Sequence, residues 1–188
     1  QGWKMYGNWS NCPNGSAEEY ILDGHVRLYN STNHHSEAFS AVDGINKVRE
    51  MLHRPSTSVR LVGLSGVGKT RFLQALFDER IGAKTLNKSQ VIYTDISDSP
   101  NPDPRNFAEH LIALRRPAIL AVDNCPPDLH RKLTSVCSAS GNKISLITVE
   151  YDVRDDQPEE TEVFRLEPAS SELIEKVIHM RFEHVSPV

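Results

Sequence analysis

The chain of 188 residues sets 21 Lys and Arg against 25 Asp and Glu, a formal charge of −4. About a quarter of it is Leu, Ile, Val or Phe, above the roughly one-fifth below which disorder is the default, so one packed domain is expected. The mildly acidic balance gives no electrostatic footprint for tight non-specific nucleic-acid binding. No run approaches the roughly 18 apolar residues of a membrane span, and Gln1-Gly2-Trp3-Lys4 lacks a signal-peptide layout.

Residues 1–35 hold both tryptophans, Trp3 and Trp9, among clusters of Asn, Gly, Ser and Pro, which predicts an extension of irregular structure or short strands. Its best strand is His25 to Tyr29, where Val26 and Leu28 alternate with polar neighbours. Its aromatic side chains Trp3, Tyr6 and Trp9 suit either a domain-docking surface or, preferably, a flap tucked over a sheet edge. From Ser36 the apolar residues Ala38, Ala41, Val42, Ile45, Val48, Met51 and Leu52 recur at helical spacing until Pro55. Five short apolar runs follow, Val59–Val62, Val91–Thr94, Ala118–Val122, Ile144–Val149 and Val163–Leu166, with helical patterns over 69–77, 105–114, 128–137 and 170–181. Alternating strands and helices of this kind predict an α/β, three-layer α-β-α sandwich around a mostly parallel five-stranded sheet. The core is expected over 36–167.

Between the first run and the next helix stands Gly63-Leu64-Ser65-Gly66-Val67-Gly68-Lys69-Thr70, the pattern G-x-x-x-x-G-K-[ST] in the strand-then-helix context that its chemistry needs. Glycines let the backbone turn a ring of N–H groups, including those of Ser65, Gly66, Val67 and Gly68, toward phosphate oxygens, and the helix N-terminus adds partial positive charge. Lys69 is expected to reach the β- and γ-phosphates and Thr70 to coordinate Mg²⁺. Arg71 is grouped with the loop for ligand contact, its ordinary reading being a helix-surface residue. The run Ala118 to Val122 ends in Asp123, a metal-side carboxylate at a strand end, whose plainer alternative is an Asp opening the turn toward Pro126-Pro127.

Asn124 occupies the position where a hydrolytic site often places a water-polarising Glu, and an amide cannot take a proton, so fast hydrolysis is not expected. Asp128 reads as a helix N-cap or, less simply, a catalytic acid. At the end of the next strand Thr148, Glu150 and Tyr151 compete as γ-phosphate sensor. Thr148 is favoured, because a polar residue ending an apolar run at a sheet's carboxyl edge faces the ligand crevice. Arg154 and Arg165 are weak candidates for a charge-neutralising arginine. Asn142-Lys143-Ile144-Ser145 fails the guanine-reading pattern at its acid, which leaves adenine as the expected base.

Cys12, Cys125 and Cys137 are odd in number and widely spaced, so neither a disulfide framework nor a zinc site is expected, and a reducing cytoplasm is the natural compartment. His25 and His34-His35 lack the companions of a metal site. The Asn-x-Ser/Thr tripeptides carry no weight without secretion. A chain without an initial Met that runs from a helical pattern into Ser186-Pro187-Val188 reads as an excerpt of a longer protein.

The order of elements, with a further strand between the glycine-rich loop and the acid-ended strand, resembles the additional-strand P-loop ATPases, the group of AAA+ and STAND proteins. It is most like the nucleotide-binding core of a bacterial STAND ATPase. Ala41 to Leu52 is similar to that class's helix before the phosphate loop, with its usual Arg absent. Val163 to Ile174 resembles the strand, "L-x-P-L-S" and first lid-helix segment, and Thr148-Val149-Glu150 stands where a "T-T-R" type segment would. The resemblance implies sheet order 5-1-4-3-2, ATP or ADP with Mg²⁺ as cofactors, Val42 and Gly44 near the adenine, and a truncated lid helix over 168–188. Expected partners are the nucleotide, further domains of the same longer chain and a nucleotide-dependent homo-oligomer. Its implied role is a slowly hydrolysing regulatory switch in a signalling or defence protein. The alternatives are a small-molecule kinase, a nucleic-acid motor and a non-hydrolysing scaffold.

Overall fold

The structure, a computed structural model, describes residues 1–10, 20, 22–31, 37–139, 141–151 and 158–182. Its strands are β1 (Trp3–Met5), β2 (Val26–Asn30), β3 (Glu37–Ser40), β4 (Ser58–Val62), β5 (Val91–Asp95), β6 (Ala118–Asp123), β7 (Ile144–Glu150) and β8 (Thr161–Leu166). Its helices are α1 (Tyr6–Ser10), α2 (Ala41–Leu52), α3 (Lys69–Ala75), α4 (Pro104–Ala113), α5 (Pro127–Cys137) and α6 (Ser171–Phe182). Cys12, His34-His35, Arg154 and most of the acidic stretch after β7 lie outside the described residues.

All eight strands join one sheet in the order β1-β5-β6-β7-β4-β8-β2-β3. The five expected strands form its parallel centre, and numbered among themselves they stand in the order 5-1-4-3-2. The sheet is nevertheless mixed and larger than expected, because the N-terminal part of the chain adds antiparallel strands to both edges, β1 on β5 and the hairpin β2–β3 on β8. These strands are short and half exposed, so they carry little of the apolar signal that marks a central strand.

Period-two alternation sorts the central side chains into two cores. Val59, Leu61, Ile119, Ala121, Ile147 and Val149 face α2, α3 and the aromatic residues of the extension, while Leu120, Val122, Ile144 and Leu146 face α4 and α5. The result is a three-layer α/β sandwich.

Helix α2 starts later than its apolar spacing suggests. Ala38 and Phe39 pair with Tyr29 and Leu28 in the β2–β3 hairpin, and the helix begins only at Ala41, where Ser40 caps it by accepting from the Asp43 N–H. Gly44 faces β2, where a Cβ would stand 2.6 Å from Leu28 Cδ2, so the glycine permits a close helix-to-strand approach. Arg49, wholly buried, donates its guanidinium N–H groups to the carbonyls of Ala75, Leu76, Asp78, Ile81 and Ala83 at 2.7–2.9 Å. It thereby serves the Ala75 and Leu76 carbonyls at the C-terminal end of α3 and three carbonyls of the segment that follows. Among the described residues no helix is long and apolar enough to cross a membrane.

Candidate functional site

At the carboxyl edge of the parallel strands, residues 63–68 turn from β4 into α3. Gly66 and Gly68 take left-handed φ values of 80° and 97°, and a Cβ at either would meet nothing within 4 Å, so these two glycines serve backbone conformation. Gly63 serves proximity, since a Cβ there would stand 2.4 Å from the Leu166 carbonyl oxygen at the end of β8. The loop is therefore pressed against β8.

Lys69 donates to the carbonyl oxygens of Gly63 and Leu64 at 2.8 and 2.7 Å, spanning the loop it ends. Partial burial lowers its pKa, opposed by the charges of Asp123 and Glu150. The Thr70 hydroxyl donates to Asp123 Oδ2 at 2.7 Å, which brings the first helical turn and the end of β6 together. Asp123 is 4 % exposed; burial raises its pKa, against hydrogen bonds from Thr70, the Asn124 N–H and the Tyr93 hydroxyl at 3.2 Å. Thr70 and Asp123, singled out separately in the sequence, thus meet in space beside Lys69, and they are joined by Tyr93, which no sequence pattern marked and which lies on the neighbouring β5 two residues before that strand's end.

Asn124 adopts a left-handed φ of 52°, and its side-chain amide donates to both oxygens of Asp95, at 3.0 and 2.9 Å. Asp95 is pulled up by burial, but hydrogen bonds from Ser97 and Asn124 outweigh it and leave its pKa below the ordinary value. The Asn124 amide has no basic site, and Asp95 keeps its negative charge while accepting from Ser97 and Asn124.

Thr148 does not face this edge. Its side chain is wholly buried on the α5 side of the sheet, where its hydroxyl takes a 3.2 Å hydrogen bond from Arg60 and lies 2.8 Å from His130 Nδ1. The strand continues two residues past it, so the polar residue at the edge is Glu150, in register with Val62. Asp128 is not the cap of α5 either. Pro126 holds the N-cap position, and Asp128 is an exposed first-turn acid paired with Arg131. Arg165 lies within β8 beside Val62, its Nε buried without a partner among the described residues.

Beside the loop opens a cleft of about 640 Å³, lined among others by Val67 and Gly68 of the loop, Arg71 of α3, Ala41 and Ile45 of α2, and Leu173 of α6. Val42 and Gly44, expected to border the base, do not line it. The residues of α2 that do are Ala41 and Ile45, one turn apart on the adjacent helical face. Arg71 borders the cleft with its guanidinium 3.9 Å over the Tyr20 ring. A second arginine, unforeseen from the sequence, enters from β2: Arg27 donates from Nη2 to the carbonyls of Val67, at 2.9 Å, and Glu167, at 2.7 Å. Its partners are far along the chain, so no local pattern announces them.

The donor set suits a nucleotide and a hard cation. A hydroxyl and a carboxylate are oxygen ligands of the kind Mg²⁺ takes, and the described residues contain no group of three or more His, Cys, Asp or Glu that could hold a metal. Mg²⁺ is commonly held by one or two protein oxygens together with phosphates and waters, which two such groups can serve. No protein-family model matches the chain, and no curated protein emerges as a relative of it.

Proposed function

We propose that the chain is a nucleotide-binding module of the additional-strand P-loop kind, an ATP/ADP switch with slow Mg²⁺-dependent hydrolysis that regulates a larger protein. The observation that carries this reading is the contact of the Thr70 hydroxyl with Asp123 at 2.7 Å, immediately behind a glycine-rich loop whose lysine spans it. Two segments more than fifty residues apart, each expected from its own chemistry, meet at one sheet edge.

In this reading the backbone N–H groups of residues 65–70 and the Lys69 ammonium hold the β- and γ-phosphates, Lys69 exchanging loop carbonyls for phosphate oxygens. Thr70 and Asp123 hold Mg²⁺, which supplies neutralisation of phosphate charge. The apolar walls from Ala41, Ile45 and Leu173 suit a flat base, and Arg71 sits at the rim between base and phosphates. Slow turnover follows from Asn124, whose amide is committed to Asp95 and cannot accept a proton from water. The same pair favours one alternative, a scaffold that binds nucleotide without hydrolysing it.

Calorimetric titration with ATP, ADP and GTP plus Mg²⁺, alongside Lys69→Ala and a phosphate-release assay, tests the reading. Expected are adenine-selective binding, its loss by about two orders of magnitude or more in Lys69→Ala, and turnover well below the roughly 1 s⁻¹ at the slow end of ordinary enzymes. Rapid turnover by the wild-type chain would remove the switch reading. Tight binding with none at all selects the scaffold.

A further inference from the structure

We infer that Arg27 is a positioning residue that fixes one peptide of the glycine-rich loop and ties that same peptide to the start of α6, so that loop and helix respond to a nucleotide together. The inference rests on the nucleotide reading above for its functional part only.

The Val67 carbonyl that Arg27 holds belongs to the same planar unit as the Gly68 N–H. In a trans peptide the two point in opposite directions, so anchoring the oxygen on Arg27 turns the Gly68 N–H away from Arg27. Any rotation of this peptide around an anion must stretch the Arg27 bond. Arg27 thus sets the direction of one donor of the loop without touching the phosphate itself.

The other end of the tie is built as firmly. Arg27 Nη2 also donates to the Glu167 carbonyl, and the Glu167 N–H returns a 2.8 Å bond to the Arg27 carbonyl. Four residues earlier, Asp23 is 5 % exposed and accepts from the Ser170 N–H at 2.9 Å and the Ser170 hydroxyl at 3.1 Å. The Ser170 hydroxyl in turn accepts from the Leu173 N–H in the first turn of α6. Arg27 Nε lies 3.9 Å from Asp23 Oδ2, so the two anchors are electrostatically joined. Val67 and Leu173 both line the cleft. One short stretch of β2 and its approach therefore holds two of the segments that border it.

Backbone amide hydrogen exchange reads the tie directly. Without nucleotide, Arg27→Ala is expected to speed exchange by about tenfold or more in both residues 64–69 and residues 169–173, and Ser170→Ala only in the second stretch. With ATP or ADP and Mg²⁺, the wild type should gain protection in both stretches, Arg27→Ala in the loop alone with about tenfold weaker binding, and Ser170→Ala should release nucleotide several-fold faster. Unchanged exchange at 169–173 in nucleotide-free Arg27→Ala, or unchanged release from Ser170→Ala, overturns the inference. Absence of nucleotide binding by the wild type fells the nucleotide reading instead, while the nucleotide-free comparison still decides whether the tie exists.

Discussion

The two edges of the sheet are finished by one N-terminal extension, and by different physics. At the β5 edge, β1 adds backbone pairing and Trp9 stacks on Tyr93 with ring centroids 4.4 Å apart and planes within 9°, and Tyr93 then donates to Asp123. At the β8 edge, β2 likewise adds backbone pairing and the buried Leu28, but what it adds beyond these is directed polar contacts, Arg27 on two carbonyls and Asp23 on Ser170. Stacking buries area and tolerates small displacements, whereas a forked guanidinium on two carbonyl oxygens specifies geometry and adds modest net stability. The first edge is expected to govern how stable the fold is, the second how its cleft is shaped.

Trp9→Ala is the strongest way to break this contrast. It removes a 5 %-exposed indole from a cluster with Tyr6, Phe77 and Tyr93 and should cost about 3–5 kcal/mol in urea unfolding. Trp9→Phe should recover most of that, because the buried indole N–H it drops has no partner among the described residues. A loss below about 1 kcal/mol for Trp9→Ala would mean that the aromatic edge is not where stability lies. Gly63→Ala attacks the other edge, driving a methyl to within 2.4 Å of the Leu166 oxygen. It should cost about 1–3 kcal/mol and weaken nucleotide binding in the same titrations, since the loop must leave β8.

Beneath the second edge His130 is wholly buried among Thr134, Thr148 and Thr161, and burial together with the Arg60 charge pushes its pKa down to about 3. The unfolded chain binds a proton there below about 6.5, and the folded chain does not until near 3. Its contribution is therefore complete above pH 6.5 and falls as pH drops, by up to about 1.4 kcal/mol per unit. Between pH 6.5 and about 5, above most of the range where carboxylates join in, His130→Gln should unfold with a visibly shallower pH dependence, although it is less stable at pH 7. Smallest of all, Tyr93→Phe removes one 3.2 Å hydrogen bond from a buried carboxylate and should cost about 0.5–1.5 kcal/mol. By removing a bond that favours the charged form of Asp123, it should also raise the Mg²⁺ concentration needed for nucleotide binding, the more so as the pH is lowered.

What the sequence made legible was whatever is encoded locally. Strands β4, β6 and β7 are buried on both faces, and β5 and β8 in part, so their apolar runs stand out, and the glycine-rich loop is read by its own residues. Of the added strands β2 showed in the alternation over residues 25–29, while β1 and β3, only three and four residues long, escaped, β3 because Ala38 was counted into the helical spacing that follows. Thr148 misled because its position near the end of an apolar run says nothing of which sheet face its hydroxyl takes, and here alternation with Val149 sends it toward His130. On α2 the cleft is lined by Ala41 and Ile45, and the expected Val42 and Gly44 flank that stripe on opposite sides, each about 100° around the helix from its neighbour. Arg27 and Tyr93 could not be found by motif, for their meaning depends on segments dozens of residues away.

Pairing of Leu28 with Leu166 joins the early chain to one of its last strands. During synthesis β2 must wait through well over a hundred residues before its partner leaves the ribosome, while β1 waits for β5. The parallel centre must assemble with an open rim, a template for a foreign strand, until β8 forms and the earlier β2 pairs with it. A chain stalled or cleaved before β8 would keep β2 and β3 as an unattached hairpin and should aggregate from that rim.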